Sequence, residues 1–493
     1  MTDDQAGPER AAIERAFART REELGIRSAF PPEVLAEAET AAKKDPAAAA
    51  GYADLTAVPF VTVDPPGSRD LDQALHFERT PGGTRLRYAI ADVGFWVDRG
   101  AAVEREAWLR GVTFYAPDAR EPLYPPVLGQ GAASLLPDGA RPAVVFTLKL
   151  DGRAEPTDVR VERAVVRSRA QLTYEQVSAH VAGGGELAGE EWAETLTLLK
   201  EFGEARLERE TERGGFSLPA RDQHVQQSAA AKLGYRLEYE APAPAEQWNA
   251  QVSLLTGHVA ARRMLEAGTG LLRTMPPPRL EDVEKLRRAA GALGFPWPEG
   301  RGYAEFIRGV DLRNPHLPAL VWQARRLTRG ADYVAFHGAP PADPLHSALA
   351  MPYAHVTAPL RRLADRYVLD LLATLAAGAR PTAAEVETLQ VLPEVMNEAD
   401  SRTGKLERKA VDVAEAWTLR GREGERFRAV VLGFRDRRVE VQVDEPPLRV
   451  SVERAEGAPR LEPGARVEVE LAAVDAEAGE ARFLLPGEPP PSA

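Results

Sequence analysis

The chain has 493 residues, 44% hydrophobic and 28% charged, with a net charge of −12, an ordinary soluble composition long enough for a large central domain and one or two small ones. Cysteine is absent, which excludes zinc–thiolate sites, disulfide-linked partners and thiol nucleophiles together. The acidic start Met1-Thr2-Asp3-Asp4 and the lack of any uncharged apolar run of membrane length lead us to expect a cytoplasmic monomer with no membrane partner.

From Glu9 to Lys44 Ala, Glu and Arg dominate, with apolar positions Ile13, Phe17, Leu24 and Ile26 and an interruption at Phe30-Pro31-Pro32. This predicts a small helical module over residues 1–54, either of helix-turn-helix type or a helical strap packed on the main domain. Val58 to Val63 is β-branched and bounded by Pro and Gly, so it reads as a short buried strand. The strand stops on Asp64, a Pro-Pro-Gly-Ser turn follows, and alternation brings Asp70 and Asp72 to one side of the extended segment. Two carboxylates about 4 Å apart repel by roughly 4 kcal/mol at an effective dielectric near 20. A hard divalent cation held by oxygen ligands is the economical remedy; a solvated Asp-rich turn is the alternative.

Strands are predicted at Arg85–Val93, Ala143–Leu150 and Val159–Val166, separated by Gly111-Val112-Thr113-Phe114-Tyr115-Ala116-Pro117 and Ser134-Leu135-Leu136-Pro137. Thr173 to Gly214 and Gln247 to Gly294 read as long amphipathic helices, the second pair broken by a loop at Gly268–Pro278 that carries Arg273. In Met351–Asp365, Thr357 suits a cap, Pro359 a first turn, and Leu360 to Leu375 a helix. Free N–H groups at that helix start, with Arg361 and Arg362, would make a cationic phosphate site. The alternative fate of Arg361 is a structural pair with Asp365. His355 reads as a packed core residue rather than a ligand. A helix over Ala383–Leu419 follows, then the period changes to two between Gly421 and Pro486. Several short strands there suggest a small barrel, with Arg435, Arg437 and Arg438 at one turn beside Phe434. Gly487 to Ala493 is a Pro-rich tail, expected to be disordered.

Two of these blocks resemble the ribonuclease II and ribonuclease R family of exoribonucleases. Asp64, Asp70 and Asp72 fall on the first three acids of the family pattern Asp-x5-Asp-x-Asp-Asp; Gln73 stands where the fourth is usual. Tyr353-Ala354-His355-Val356-Thr357-Ala358-Pro359-Leu360-Arg361-Arg362-Leu363-Ala364-Asp365 resembles Tyr-x-x-x-Thr-Ser-Pro-Ile-Arg-Arg-Tyr-x-Asp. The resemblance implies an α+β fold: a mixed β-rich catalytic core over 55–420 wrapped by long helices, behind the helical N-terminal module, with a C-terminal OB-fold barrel over 421–486. The cold-shock-type domains usual at the front of the family have no room before Val58.

It implies a metal-dependent 3′-to-5′ exoribonuclease that degrades single-stranded RNA to nucleoside 5′-monophosphates. Asp64, Asp70 and Asp72, with Gln73 as a neutral ligand, would hold Mg²⁺, or Mn²⁺ in its place. Asp72 and Arg361 would be catalytic. Tyr115 would stack on the terminal base, and Arg273, Thr357, Arg361 and Arg362 would contact RNA. Whole-chain charge governs steering rather than the content of one groove, so RNA would need a local basic channel. The rival reading is a catalytically weakened or inactive RNA-binding protein of the same fold, its defect being Gln73.

Overall fold

Five strands, Ala53–Val63, Gln73–Thr80, Gly83–Ala91, Arg141–Leu150 and Pro156–Leu172, close into a barrel in which the first and last run parallel and the rest pair antiparallel. The computed structural model describes residues 6–218, 223–227, 235–239, 243–435, 438–446, 448–453 and 461–485. Alternation along each strand fills the barrel interior. Tyr88 lies opposite both Leu75 and Phe146, and all three are essentially inaccessible to water. Truncating such a ring, as in Phe146→Ala, removes about 3–5 kcal/mol.

Helices Ala193–Glu212 and Pro244–Ala267 pack together against one side of the barrel. Their crossing is close because Gly203 has no side chain; a Cβ there would lie 2.4 Å from the Trp248 Cβ. The helix Ala383–Leu419 opens with a reciprocal cap between Thr382 and Glu385 and spans roughly 55 Å at 1.5 Å per residue. It leads into a five-stranded antiparallel sheet ordered Arg449–Glu453, Arg438–Val443, Arg426–Arg435, Arg466–Asp475 and Glu480–Leu484. That sheet is the expected OB-type unit. Arg435 and Arg438 face each other across its first hairpin; Arg437 and the Pro-rich tail lie outside the described residues.

The N-terminal residues form a strap. Ile13 and Phe17 of helix Ala6–Glu23 are buried against Ala410, Val413 and Trp417 of the long helix, with Phe17 edge-on to Tyr235 at 5.5 Å. Helix Pro32–Ala41 docks on helix Ala102–Arg110, whose first N–H groups (Ala102 and Val103) donate to the Glu37 carboxylate at 2.8 and 3.1 Å.

Two local expectations are corrected. The segment read as a loop around Arg273 is a strand, Thr269–Thr274, paired with Asp332–His337. Five of its six residues are buried, so no alternation marked it. The helix expected from Leu360 begins at Leu363, and residues 358–362 make a tight turn instead. Among the described residues no helix is long and apolar enough to cross a membrane.

Candidate active site

The acidic loop is fixed at both ends by the barrel. Asp64 N–H donates to the Leu172 carbonyl at 3.0 Å where the first and last strands meet, and the Asp72 carbonyl accepts from Ala91 N–H at 2.9 Å. Between them Gly67 takes a positive φ of 79° at the turn, and Leu71 plugs the interior with no exposed surface. Ser134 holds the middle: its hydroxyl donates to the Arg69 carbonyl at 2.7 Å and accepts from Leu71 N–H at 2.8 Å. The Ser-Leu-Leu-Pro turn is thus a brace for the acids.

Opposite the loop stands Arg361. Its carbonyl accepts from Thr113 N–H at 2.9 Å, and Leu363 N–H donates to Gly111 at 2.9 Å, so two short backbone segments run side by side. Gly111 has a φ of 75° and lies against Ala399, where a Cβ would come within 2.9 Å. Asp72 is 4% exposed; its Oδ1 accepts from Leu360 N–H at 2.7 Å, and its Oδ2 is 3.9 Å from Arg361 Nε. Arg361 remains 44% exposed, free to reach outward. Arg362 turns the other way and grips the fully buried Asp365 through two bonds of 2.9 and 2.7 Å. The pair expected as the alternative fate of Arg361 therefore belongs to its neighbour.

The expected phosphate site at a helix start does not form. Ala358 N–H is taken by Asp365 at 2.8 Å and Leu360 N–H by Asp72, so the turn's donors serve carboxylates of the chain itself. Thr357 is 4% exposed and lends its carbonyl to the Gln73 amide, which places it in the interior rather than on a substrate surface. Arg273 is also withdrawn: it pairs with Asp400 at 2.9 Å and lies 4.4 Å over the Tyr333 ring. Gln73 is a strut, its oxygen accepting from Tyr88 hydroxyl at 3.1 Å while its nitrogen donates to Thr357. His355 is a core residue, its ring nitrogen 2.7 Å from the Tyr333 hydroxyl.

Tyr115 is half exposed and sits on a two-residue-per-strand hairpin, Phe114–Tyr115 with Arg120–Glu121. Its hydroxyl donates to Asp70 at a long 3.4 Å. Arg120, which sequence reading passed over, forms an ion pair with Asp70, and its guanidinium lies 5.1 Å from the Tyr115 ring. Burial and then the nearby Arg361 lower its pKa, because a second guanidinium stands close by. Tyr174 was also missed; its hydroxyl is pushed up to about 12 by burial and by the charge of Asp64. Its only sequence signal is that it follows the Thr173 helix cap.

From Tyr115 a cavity of about 2240 Å³ runs toward the C-terminal sheet, past Phe216, Trp322, Arg408, Arg435 and Arg482. Among the residues lining it carboxylates outnumber arginines, nine to six, so the basic channel expected for RNA is not what lines this space.

The three acids are not equally satisfied. Burial pushes both Asp64 and Asp72 up to about 7, against the Thr62 hydroxyl and then Arg361 at Asp64, and against Arg361 and the Leu360 N–H at Asp72. Asp64 Oδ2 is buried with no hydrogen-bond partner. A buried carboxylate and a part-buried one facing one half-exposed guanidinium are short of positive charge, and their oxygen donors suit a hard divalent cation. Among the described residues no group of three acidic or imidazole side chains is arranged to hold a metal ion, and Asp70 is paired with Arg120. The oxygen donors of Asp64 and Asp72 suit such a cation.

The RNB domain family matches residues 52–378, and the RNase II-type exonuclease C-terminal S1 domain matches residues 425–485. With a catalytic-type barrel carrying acids at its rim and an S1 sheet behind it, the chain belongs to the ribonuclease II and ribonuclease R family. Ribonuclease R of Escherichia coli is 32% identical over 333 residues, covering 64% of this chain and 39% of that protein. Ribonuclease R of Aquifex aeolicus is 28% identical over 388 residues, covering 76% and 53%. The chain thus spans about two fifths to one half of the length of these relatives. In fold it is similar to the apo form of Mycoplasma genitalium RNase R, with a TM-score of 0.85 at 20% identity over 95% of this chain and 77% of that one. Yeast Ssd1, described as a pseudonuclease, aligns at a TM-score of 0.66 and 17% identity over 86% and 53%.

Proposed function

We propose that the chain is a hydrolytic 3′-to-5′ exoribonuclease that uses a divalent cation, Mg²⁺ or Mn²⁺, to release nucleoside 5′-monophosphates from single-stranded RNA in the cytoplasm. The observation that carries this reading is the charge deficit at Asp64 and Asp72 directly beside Arg361. Asp64, Asp72 and, once freed, Asp70 would hold the cation, which when bound supplies an activated water and stabilises the departing 3′ oxygen. Arg361 lies where it can offset charge building on the scissile phosphate, and Asp72 keeps it there by sharing its oxygens between Leu360 N–H and the guanidinium. Tyr115 offers a half-exposed ring to the terminal base, a contact worth about 1–3 kcal/mol and indifferent to sequence. In each cycle water adds to phosphorus, the bond to the 3′ oxygen breaks, and a proton passes to that oxygen. The RNA ligand is supported by the related Mycoplasma genitalium RNase R, which has been solved with single-stranded and with double-stranded RNA.

A second reading, an RNA-binding protein with a disabled centre, is favoured by Gln73 as a strut, by Asp70 held on Arg120, and by the pseudonuclease of similar fold. Linear and circular RNA of one sequence, digested side by side with Mg²⁺ and resolved by thin-layer chromatography, separate the possibilities. Nucleoside 5′-monophosphates from the linear strand alone support the exonuclease. Equal cutting of the circle points to an internal nuclease, and no product from either supports the binding protein.

A further inference from the structure

A hairpin with two residues on each strand cannot hold its own orientation, because an isolated two-stranded hairpin is at best marginally stable in water. The hairpin carrying Tyr115 and Arg120 therefore depends on what packs behind it. Register puts Tyr115 opposite Arg120 and Phe114 opposite Glu121, and the two pairs face opposite ways. Tyr115 and Arg120 turn to the acids, whereas Phe114 and Glu121 are buried on the other side.

On that buried side stands Arg21, in the last turn of the N-terminal helix Ala6–Glu23. Its Nη1 and Nη2 donate to the two oxygens of Asp118 at 2.5 and 3.0 Å, and its Nε lies 3.3 Å from Glu121. All three side chains are about nine-tenths buried, and a guanidinium engaged at both ends of its fork has one allowed orientation. Asp118 is in the hairpin turn and Glu121 on its return strand, so a single arginine holds both. Arg110 anchors the segments on either side, donating to the carbonyls of Arg27, Ala29 and Pro122 at 2.8, 2.7 and 3.2 Å.

We propose that the N-terminal helix is part of the substrate machinery: Arg21 is a positioning residue that, through Asp118 and Glu121, sets the hairpin so that Tyr115 meets the terminal base. The proposal rests on the reading of Tyr115 as the base-stacking residue. A ring displaced by a fraction of its width loses most of its overlap with the base, so a cut clamp weakens binding at the 3′ end and leaves the rest of the strand in place.

The test uses the full chain in EDTA and a single-stranded oligoribonucleotide with 2-aminopurine at its 3′ end, whose fluorescence falls when the base stacks. Arg21→Ala and Asp118→Asn are each expected to lose most of the quenching and about tenfold in affinity, with no further loss in the double variant. Arg27→Ala cuts a different contact of the same strap, the pair with Glu106 at 2.8 Å, and is expected to keep the full quenching. If Tyr115→Ala loses the quenching while Arg21→Ala and Asp118→Asn keep it, the clamp is refuted and the stacking role stands. Quenching that survives Tyr115→Ala overturns the stacking role and the clamp with it. Should Arg21→Ala fail to fold, Asp118→Asn alone decides by the same outcomes.

Discussion

Two clusters of acids and arginines sit around the same barrel, and they are finished differently. At one, Asp92 Oδ2 accepts from the Tyr52 hydroxyl at 2.7 Å and from Arg163 Nε at 2.8 Å. Asp370 there takes Arg163 at 2.5 Å on one oxygen and Arg99 at 3.1 Å on the other. At the second, Asp64 leaves a buried oxygen with no partner, and Asp72 shares one distant guanidinium. In the first cluster both acids are paired with guanidinium groups of the chain itself. The second keeps a deficit of positive charge, and that difference separates a structural cluster from a candidate site more sharply than the number of acids does.

The contrast can be broken from the structural side first. Arg163→Ala takes one guanidinium from two carboxylates at once and should cost about 3 kcal/mol in urea unfolding, while the folded fraction keeps its divalent-ion affinity. On the other side, Arg361→Ala should lower the rate of RNA hydrolysis by about 10²–10³ and shift the unfolding midpoint less than Arg163→Ala does, because its guanidinium is half exposed and 3.9 Å from Asp72.

The unfilled deficit also predicts a pH dependence. Asp64 and Asp72 titrate near 7 when folded and near 4 when unfolded, so the folded chain binds more protons between those values. In EDTA, the contribution of these two acids to stability should be fully present below about pH 4 and be lost as pH rises through 7, a drop that the difference between wild type and Asp64→Asn isolates. Mg²⁺ should raise the melting temperature more at pH 8 than at pH 5, and Asp64→Asn should flatten the metal-free curve. The smallest effect is expected at Arg120. Arg120→Gln removes the group that occupies Asp70, so titration calorimetry with Mn²⁺ should show binding several-fold tighter, whereas unchanged affinity would mean that Asp70 is not a ligand.

How much of this was legible in the sequence varies with the range of the interactions. The spacing of Asp64, Asp70 and Asp72 and the period of the helix Ala383–Leu419 are local, and both were readable. Arg361 and Arg362 are indistinguishable as neighbours; which one faces the acids is decided by Asp365 and by backbone pairing with residues 111–113. Arg273 looked available because its partner, Asp400, arrives from the far end of the domain. The spacing of Ile13 and Phe17 marked an apolar stripe, but nothing in it said that the long helix would cover it. Arg120 was missed because a hairpin of such short strands leaves no periodic signal, and its value lies in facing Tyr115 across the register.

The central claim is that Asp72 and its neighbouring acids form a hydrolytic centre with Arg361. The most direct test follows a 5′-radiolabelled single-stranded RNA on a gel in Mg²⁺, with the wild-type chain and with Asp72→Asn. The account predicts stepwise shortening from the 3′ end by the wild type, abolished in the variant although RNA still binds. Tight binding by both proteins with no shortening by either would contradict it.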